Sequence, residues 1–270
     1  MEASVDRAPG PDGRPIFFCV PGIGGQVMSL AALGQRLAPV CRMVAVRGGT
    51  AGDDPAEDTV ERAAARGVET VLRQQPAGPF LLGGHSGGAA IAFEMAQQLA
   101  RRGHGVGLLV LIDLRRPGWQ APPGRWLHVL RCAVGNLPDW VRYDLAPSGL
   151  RQMGRNLVRH LRHLLTGGPA IERILDLSRY PADQQVAMNR VFEMLEAYRP
   201  LPWPGRITLL RARAQPVLLQ HDEPTLGWAS VARGGVDLVR LPGNHLTIMR
   251  EPLVAHVAEA LRRRLPGGAA

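Results

Sequence analysis

The sequence predicts an α/β fold in which a mostly parallel central sheet is flanked by helices. Short apolar runs alternate with segments of helical hydrophobic period along most of the 270 residues. Some of these runs, such as residues 108–112, are continuously apolar, which indicates strands buried on both faces. Repeated alternation of strand and helix favours parallel strands joined by crossover helices.

Six strands are predicted, each a run of five to seven mainly apolar residues. They begin at Ile16, Arg42, Phe80, Gly107, Arg206 and Val236. Four helices are predicted between or after them. They cover residues 28–37, 55–75, 87–102 and 251–265.

The alternation stops between residues 115 and 199, which we interpret as a helical lid inserted over the sheet. Residues 115–126 are rich in proline and glycine and read as a loop that leaves the sheet. A helix is predicted to follow, with its apolar side chains on one stripe. They are Leu150, Met153, Leu157, Leu161 and Leu164. A second lid helix is predicted over 182–199, so residues 1–270 form one domain with an insertion.

Composition and charge narrow the classes of function. The formal net charge is +9, all 32 basic residues are arginine, and residues 114–180 hold 11 arginines against four acidic residues. Such a patch favours an acidic partner or a phosphate. No aromatic or glycine pattern of the nucleic-acid modules accompanies it, so nucleic acid is not expected as a partner.

Membrane, metal and disulfide roles are not expected either. No run approaches the roughly 18 apolar residues that a membrane span needs, and the polar start of the chain resembles no signal peptide, so we expect a cytoplasmic location without a membrane partner. The three cysteines are odd in number and have no metal-binding spacing, which favours free thiols.

Residues 84–88 have the pattern Gly-x-Ser-x-Gly between a predicted strand and a predicted helix. A turn this tight forces Ser86 into a strained backbone conformation that leaves its hydroxyl projecting. Gly84 and Gly88 let the strand and the helix approach closely, and the helix points its positive N-terminal end at this place. Ser86 is therefore predicted to be a nucleophile; the alternative is a serine that only caps the helix.

A serine hydroxyl needs a base, because it is a poor nucleophile at neutral pH. Eight histidines are available, and His245 follows the last predicted strand in a Pro-Gly-Asn loop before the final helix. In hydrolases of this chain order the histidine comes last, so His245 is the predicted base. His85 lies beside Ser86 on the turn, and its side chain is expected to point elsewhere, packing or lining the pocket.

Two carboxylates could orient the base. Asp113 ends the apolar strand 107–113, at the edge where α/β sites are built. Asp222 lies in the loop after the strand that begins at Arg206. A carboxylate that follows a fully apolar strand is costly to bury unless it is paired. This argument favours Asp113 and leaves Asp222 as the alternative.

Backbone N–H groups are predicted to stabilise the developing oxyanion. The N–H of Gly87 directly follows the nucleophile, and a second donor is expected in the loop after the first strand, where we select Ile23. The glycines of that loop match neither the Gly-x-x-x-x-Gly-Lys nor the Gly-x-Gly-x-x-Gly pattern. No bound nucleotide or other cofactor is therefore expected.

At this point the chain resembles thioesterase domains of nonribosomal peptide synthetases and polyketide synthases, members of the α/β-hydrolase superfamily. The resemblance covers nearly the whole chain outside the lid. It is carried by the stretches PIFFCVPGIGGQVMSLAALGQRL, QQPAGPFLLGGHSGGAAIAFEMAQQLARRGHGVGLLVLID, AYRPLPWPGRITLLRA and LGWASVARGGVDLVRLPGNHLTIMREPLVAHVAEAL.

The resemblance implies that Ser86 takes an acyl chain from the phosphopantetheine arm of a carrier protein and passes it to water or to an internal nucleophile. Asp113 matches the acid of terminal thioesterase domains, whereas stand-alone editing thioesterases place their acid shortly before the histidine, as Asp222 would. His245 matches the base. Ile23 and Gly87 match the oxyanion donors.

The resemblance also implies an acidic carrier protein as partner, in the same chain or a separate one. The lid arginines could steer the carrier and its phosphate toward Ser86. They are Arg151, Arg155, Arg159 and Arg162. Two other functions stay open: an esterase or lipase acting on free esters, and a non-catalytic acyl-binding module on the same scaffold.

Overall fold

The computed structural model of the protein describes residues 13–22, 28–46, 59–119, 135, 137–139, 141–145, 181–215 and 223–266. Ile23, Asp222, the four lid arginines and most of the predicted lid lie outside these residues. The extent of the lid and the assignment of the chain to one domain therefore stay predictions.

Six parallel strands form one sheet in the order β2-β1-β3-β4-β5-β6. Their bounds are β1 Ile16–Val20, β2 Arg42–Ala45, β3 Phe80–His85, β4 Val106–Ile112, β5 Ile207–Ala214 and β6 Val236–Asn244. All six predicted strands are confirmed. The direction in which strands are added reverses at β1, because β2 lies on one side of β1 and β3 on the other. Ligands of open α/β sheets bind beyond the carboxyl ends of the strands at such a reversal.

Five helices have bounds within the described residues, together with a π-helical turn at Val141–Leu145 and a 3₁₀ turn at Trp228–Ser230. Their bounds are α1 Met28–Leu37, α2 Val60–Gln74, α3 Gly87–Arg101, α4 Ala182–Ala197 and α5 Val254–Arg262. The predicted start of α2 at residue 55 is too early. Thr59 is the N-cap, and its Oγ1 accepts a hydrogen bond of 3.2 Å from the N–H of Arg62.

The helices cover both faces of the sheet. On one face α1 and α5 bury their apolar stripes, for example Leu33 and Val257, against the strands. On the other face α2, α3 and α4 form a larger core that includes Phe93, Trp203 and Trp228. Two-sided burial explains why β1 is apolar at every position.

The chain returns from the predicted lid through α4 and is fastened to α3 by buried polar contacts. Tyr198 Oη donates to Glu94 Oε2 at 2.8 Å, and Gln97 Nε2 donates to the carbonyl of Leu201 at 2.8 Å. Arg101 Nη2 neutralises Glu94 at 2.8 Å. Burial, followed by the neighbouring Glu94, raises the pKa of Tyr198, so the phenol stays protonated and remains a donor.

Within the described ranges, no helix combines the length and the apolar content that crossing a bilayer requires.

Candidate active site

Ser86 occupies the turn between β3 and α3 with φ 52° and ψ −134°, a strained conformation for an L residue. The turn is tight because two glycines pack backbone against backbone. A Cβ on Gly84 would lie 2.2 Å from the carbonyl oxygen of Gly88, and a Cβ on Gly88 would lie 2.3 Å from that of Pro21. Any side chain at either position would separate β3, α3 and the loop after β1.

The hydroxyl of Ser86 makes no capping hydrogen bond to α3. Its Oγ instead lies 3.0 Å from Nε2 of His245. The alternative interpretation, in which the serine only caps the helix, is therefore not supported by the geometry.

Asp113 directly follows β4 and is 4% exposed. Its Oδ1 accepts hydrogen bonds from the N–H of Ala212 at 2.8 Å and from Nε2 of Gln215 at 3.0 Å. Its Oδ2 lies 2.9 Å from Nδ1 of His245. The buried carboxylate is thus paired, as its position after an apolar strand requires.

Hydrogen bonding sets the charge of Asp113. Burial alone would raise its pKa, but the hydrogen bond and charge of His245 oppose this, together with the donors from Ala212 and Gln215. The net effect is a pKa below the usual value. Asp113 is therefore ionised at neutral pH, and it fixes the imidazole with Nδ1–H toward itself and Nε2 toward Ser86.

His245 stands in the loop after β6, which Asn244 holds in shape. Asn244 Oδ1 accepts hydrogen bonds from the N–H of Leu246 at 3.0 Å and of Thr247 at 2.9 Å, and Thr247 Oγ1 accepts from the N–H of Asn244 at 3.0 Å. This local turn presents the imidazole to the carboxyl ends of β3 and β4. The Pro-Gly-Asn signal was visible in the sequence, but the role of Thr247 was not.

His85 packs against the imidazole of His245. The two rings are stacked with centroids 5.4 Å apart and planes inclined by 26°. Burial, followed by the proximity of His245, lowers the pKa of His85 to about 3, so His85 stays neutral. Its neutrality matters because a second cation here would oppose protonation of His245.

The loop after β1 passes directly against the nucleophile. A Cβ on Gly22 would lie 3.3 Å from both Ser86 Cβ and His85 Nδ1. Ile23, the predicted second oxyanion donor, is the next residue and lies outside the described part of the chain. Gly87, the predicted first donor, is the first residue of α3, so its N–H is at the positive end of that helix.

Asp222, the alternative acid, also lies outside the described residues. Its neighbour Glu223 is used locally, since its carboxylate accepts hydrogen bonds from the N–H groups of Thr225 and Gly227.

The sequence analysis did not identify Ala212 and Gln215, the hydrogen-bond partners of Asp113, because nothing in the sequence pairs β4 with the end of β5. Among the described residues, no cluster of three or more His, Cys, Asp or Glu has the arrangement of a metal site.

Comparison with known proteins identifies a family for part of the chain. A family model described as Thioesterase domain matches residues 15–133, which contain β1 to β4, Ser86 and Asp113. Residues 15–133 therefore belong to the thioesterase-domain family.

This thioesterase domain has relatives in large synthases. It is 27% identical over 269 residues to the chondramide synthase of Chondromyces crocatus, with 93% of this chain and 6% of that protein covered. It is 30% identical over 224 residues to a non-reducing polyketide synthase of an Arthrinium species, with 77% of this chain and 10% of that protein covered. The thioesterase domain thus spans a tenth or less of the length of either relative.

A solved structure shares the fold of this thioesterase domain. The NocB thioesterase domain, in covalent complex with a fluorophosphonate nocardicin G analogue, superimposes with a TM-score of 0.62 at 22% sequence identity. The match covers 94% of this chain and 96% of that one. The predicted α/β-hydrolase fold is confirmed.

Proposed function

We propose that this protein is a serine thioesterase that releases an acyl, peptidyl or polyketide chain from the phosphopantetheine thioester of a carrier protein. The observation that carries the proposal is the continuous relay from Ser86 Oγ through His245 to Asp113, with contacts of 3.0 and 2.9 Å. Membership of the thioesterase-domain family supports a thioester as the substrate. The multidomain synthases among its relatives support a carrier-bound one.

In the first half-reaction Ser86 Oγ attacks the thioester carbonyl while His245 Nε2 takes its proton. Asp113 stabilises the imidazolium that forms. The N–H of Gly87, with that of Ile23 as the predicted second donor, stabilises the oxyanion. The intermediate collapses by breaking the C–S bond, and the departing sulfur of the arm leaves as a thiol with the proton from His245. The product is an ester of Ser86.

In the second half-reaction His245 deprotonates water or an internal amine or hydroxyl of the acyl chain. The activated nucleophile attacks the ester, and Ser86 regains its proton from His245 as the chain leaves. Water gives a free acid, and an internal nucleophile gives a ring.

Asp113 as the acid supports a terminal thioesterase domain over a stand-alone editing enzyme. A terminal domain uses an acid at this position, whereas an editing enzyme would use Asp222. The 2.9 Å contact of Asp113 with His245 and its ionised state support the first assignment.

The experiment is active-site labelling followed by turnover. A fluorophosphonate probe should add one adduct to the folded protein, mapped by mass spectrometry to Ser86, and the Ser86→Ala variant should take up none. The same acyl chain is then supplied on a carrier protein, on N-acetylcysteamine and as an aryl ester. We expect the carrier thioester to give the highest kcat/KM; a preference for the aryl ester would favour an esterase, and labelling without any turnover would favour a binding module.

A further inference from the structure

Three arginines converge beside the proposed active site, where the chain leaves β4. Arg115 and Arg116 lie on the segment 114–119, and Arg199 follows α4. The two elements are in contact, because Arg115 Nη2 lies 3.5 Å from Glu196 Oε1 and Arg199 Nη1 donates to the carbonyl of the same Glu196. The tip of the segment also touches Arg199, since a Cβ on Gly118 would lie 2.8 Å from its Nη1.

Positive charge in this cluster exceeds negative charge. Among the described residues, one carboxylate contacts any of the three guanidinium groups: that of Glu196, which lies beside Arg115. Arg116 has no acidic partner there: its Nη1 donates to the carbonyl of Pro117 at 3.3 Å, and its Nε is buried without a hydrogen bond. A buried, unpartnered guanidinium nitrogen is unusual in a folded protein and indicates a missing acceptor.

The electrostatic interactions of Arg116 also favour a bound anion. Burial, then the positive charges of Arg199 and Arg115, lower the pKa of Arg116. An anion bound between these groups would reduce their mutual repulsion. Guanidinium groups are suited to oxyanions, because their planar N–H forks match the oxygens of a phosphate or a carboxylate.

The cluster lies on the same edge of the sheet as the triad. Arg116 is three residues beyond Asp113, so their Cα atoms are at most about 11 Å apart. The N–H of Arg116 donates to the carbonyl of Leu226 at 2.9 Å, which holds this segment on the face covered by α3 and α4. Side chains here are partly open, with Arg115 33% exposed. A molecule with one end at Ser86 could place its other end among these arginines.

We propose that Arg115, Arg116 and Arg199 form a subsite for the phosphate of the pantetheine arm that carries the substrate. This inference rests on the proposed function. The phosphate stands at the opposite end of the arm from the thioester sulfur, so a phosphate subsite belongs at the rim of the site and not beside Ser86. The subsite would bind a group common to every carrier-bound substrate, whatever its acyl chain.

The test compares two thioesters of one uncharged acyl chain, on 4′-phosphopantetheine and on pantetheine. They differ only in the phosphate. For the wild type we expect kcat/KM to be about tenfold higher with the phosphate. Arg116→Gln should lower this ratio toward one, and Arg199→Gln should lower it as well. The preference should also shrink as ionic strength rises from about 0.05 M to about 0.5 M.

Arg102→Gln is the matched control. Arg102 is also an arginine at the end of a helix, but it follows α3 at the opposite edge of the sheet and pairs with Glu69 at 2.7 Å. This variant removes the same charge from the protein and should keep the ratio of the wild type. Thermal unfolding of each variant shows whether the fold is intact.

A second readout does not depend on turnover. The Ser86→Ala variant should bind free 4′-phosphopantetheine about tenfold more tightly than pantetheine in calorimetry, and adding Arg116→Gln should remove the difference. Equal values for the two thioesters in the wild type would overturn the subsite while leaving the proposed function intact. The same comparison is repeated with an acyl chain that carries a carboxylate. If Arg116→Gln slowed turnover of that chain alone, without any phosphate effect, the result would also overturn the subsite and assign the arginines to the acyl chain. No turnover of either thioester by folded wild type would count against the proposed function itself.

Discussion

Ser86 and Asp113 directly follow neighbouring strands and share an unusual backbone conformation, with φ 52° at each. They differ in what maintains that backbone. Ser86 lies between Gly84 and Gly88, whose missing side chains let the backbones of β3 and α3 pack against each other. Asp113 has no glycine beside it, and its conformation is held by hydrogen bonds from Ala212, Gln215 and His245.

The difference shows two ways in which a protein stabilises local strain at a functional site. At Ser86 the two glycines that permit the turn lie within five consecutive residues, so a sequence pattern reveals them. At Asp113 the support comes from β5 and from the loop after β6, about 100 and 130 residues away along the chain. The first kind of strain should respond to local substitutions, and the second to distant ones.

The largest expected effect is at Ser86. Ser86→Gly removes the nucleophile and should lower kcat by about 10⁴-fold or more. It should also raise the free energy of unfolding by about 1 kcal/mol, because glycine adopts this positive φ without strain. Turnover assays and urea denaturation measure the two changes. Ser86→Ala is the control, since it loses the same activity but keeps the strain; equal stability of the two variants would show that Ser86 is not strained.

Asp113→Asn should lower kcat by about 10³- to 10⁴-fold. Asparagine tolerates positive φ at least as well as aspartate, so the backbone should persist while His245 loses its charged partner and its preferred tautomer. Rates with a fixed thioester measure the loss. An unchanged rate would shift the role of acid to another residue, with Asp222 as the first to be tested.

Gly84→Ala should lower the free energy of unfolding by about 3 kcal/mol or more, because its Cβ would lie 2.2 Å from backbone that cannot move independently. Urea denaturation gives the value. Gly105→Ala is the control, since its Cβ would meet nothing closer than 3.7 Å and should change stability by less than about 1 kcal/mol. Similar costs at the two positions would contradict local support of the turn.

The smallest effect is expected from the distant support of Asp113. Because the folded-state pKa of Asp113 is depressed, its contribution to stability is present above the unfolded value near 3.8 and is lost as pH falls through the folded value. Gln215→Leu removes one donor, so the folded pKa rises and that contribution shrinks, by about 1 kcal/mol at neutral pH. Urea denaturation between about pH 2 and 7 should show a weaker pH dependence in the variant; an identical dependence would mean that Gln215 does not stabilise the carboxylate.

Much of the site was predictable because its signals are local. Ser86 sits in a five-residue pattern, and His245 follows the last strand in a loop with recognisable turn residues. The choice between Asp113 and Asp222 was not decided by the residues alone, because it depends on which strand end faces the imidazole. The stacking of His85 on His245 and the contacts of the arginine cluster were not predictable either, because they join residues that are far apart in the sequence.

The sequence by itself determined the alternation of strands and helices, the tight turn at Ser86 and the family, because hydrophobic period and turn chemistry act between residues close along the chain. Only the tertiary structure decided that β3, β4 and β6 bring their carboxyl ends together, that Asp113 is ionised though buried, and that the Nε of Arg116 lacks a hydrogen-bond acceptor among the described residues. These properties depend on distances through space and on exclusion of water, which the order of residues does not specify.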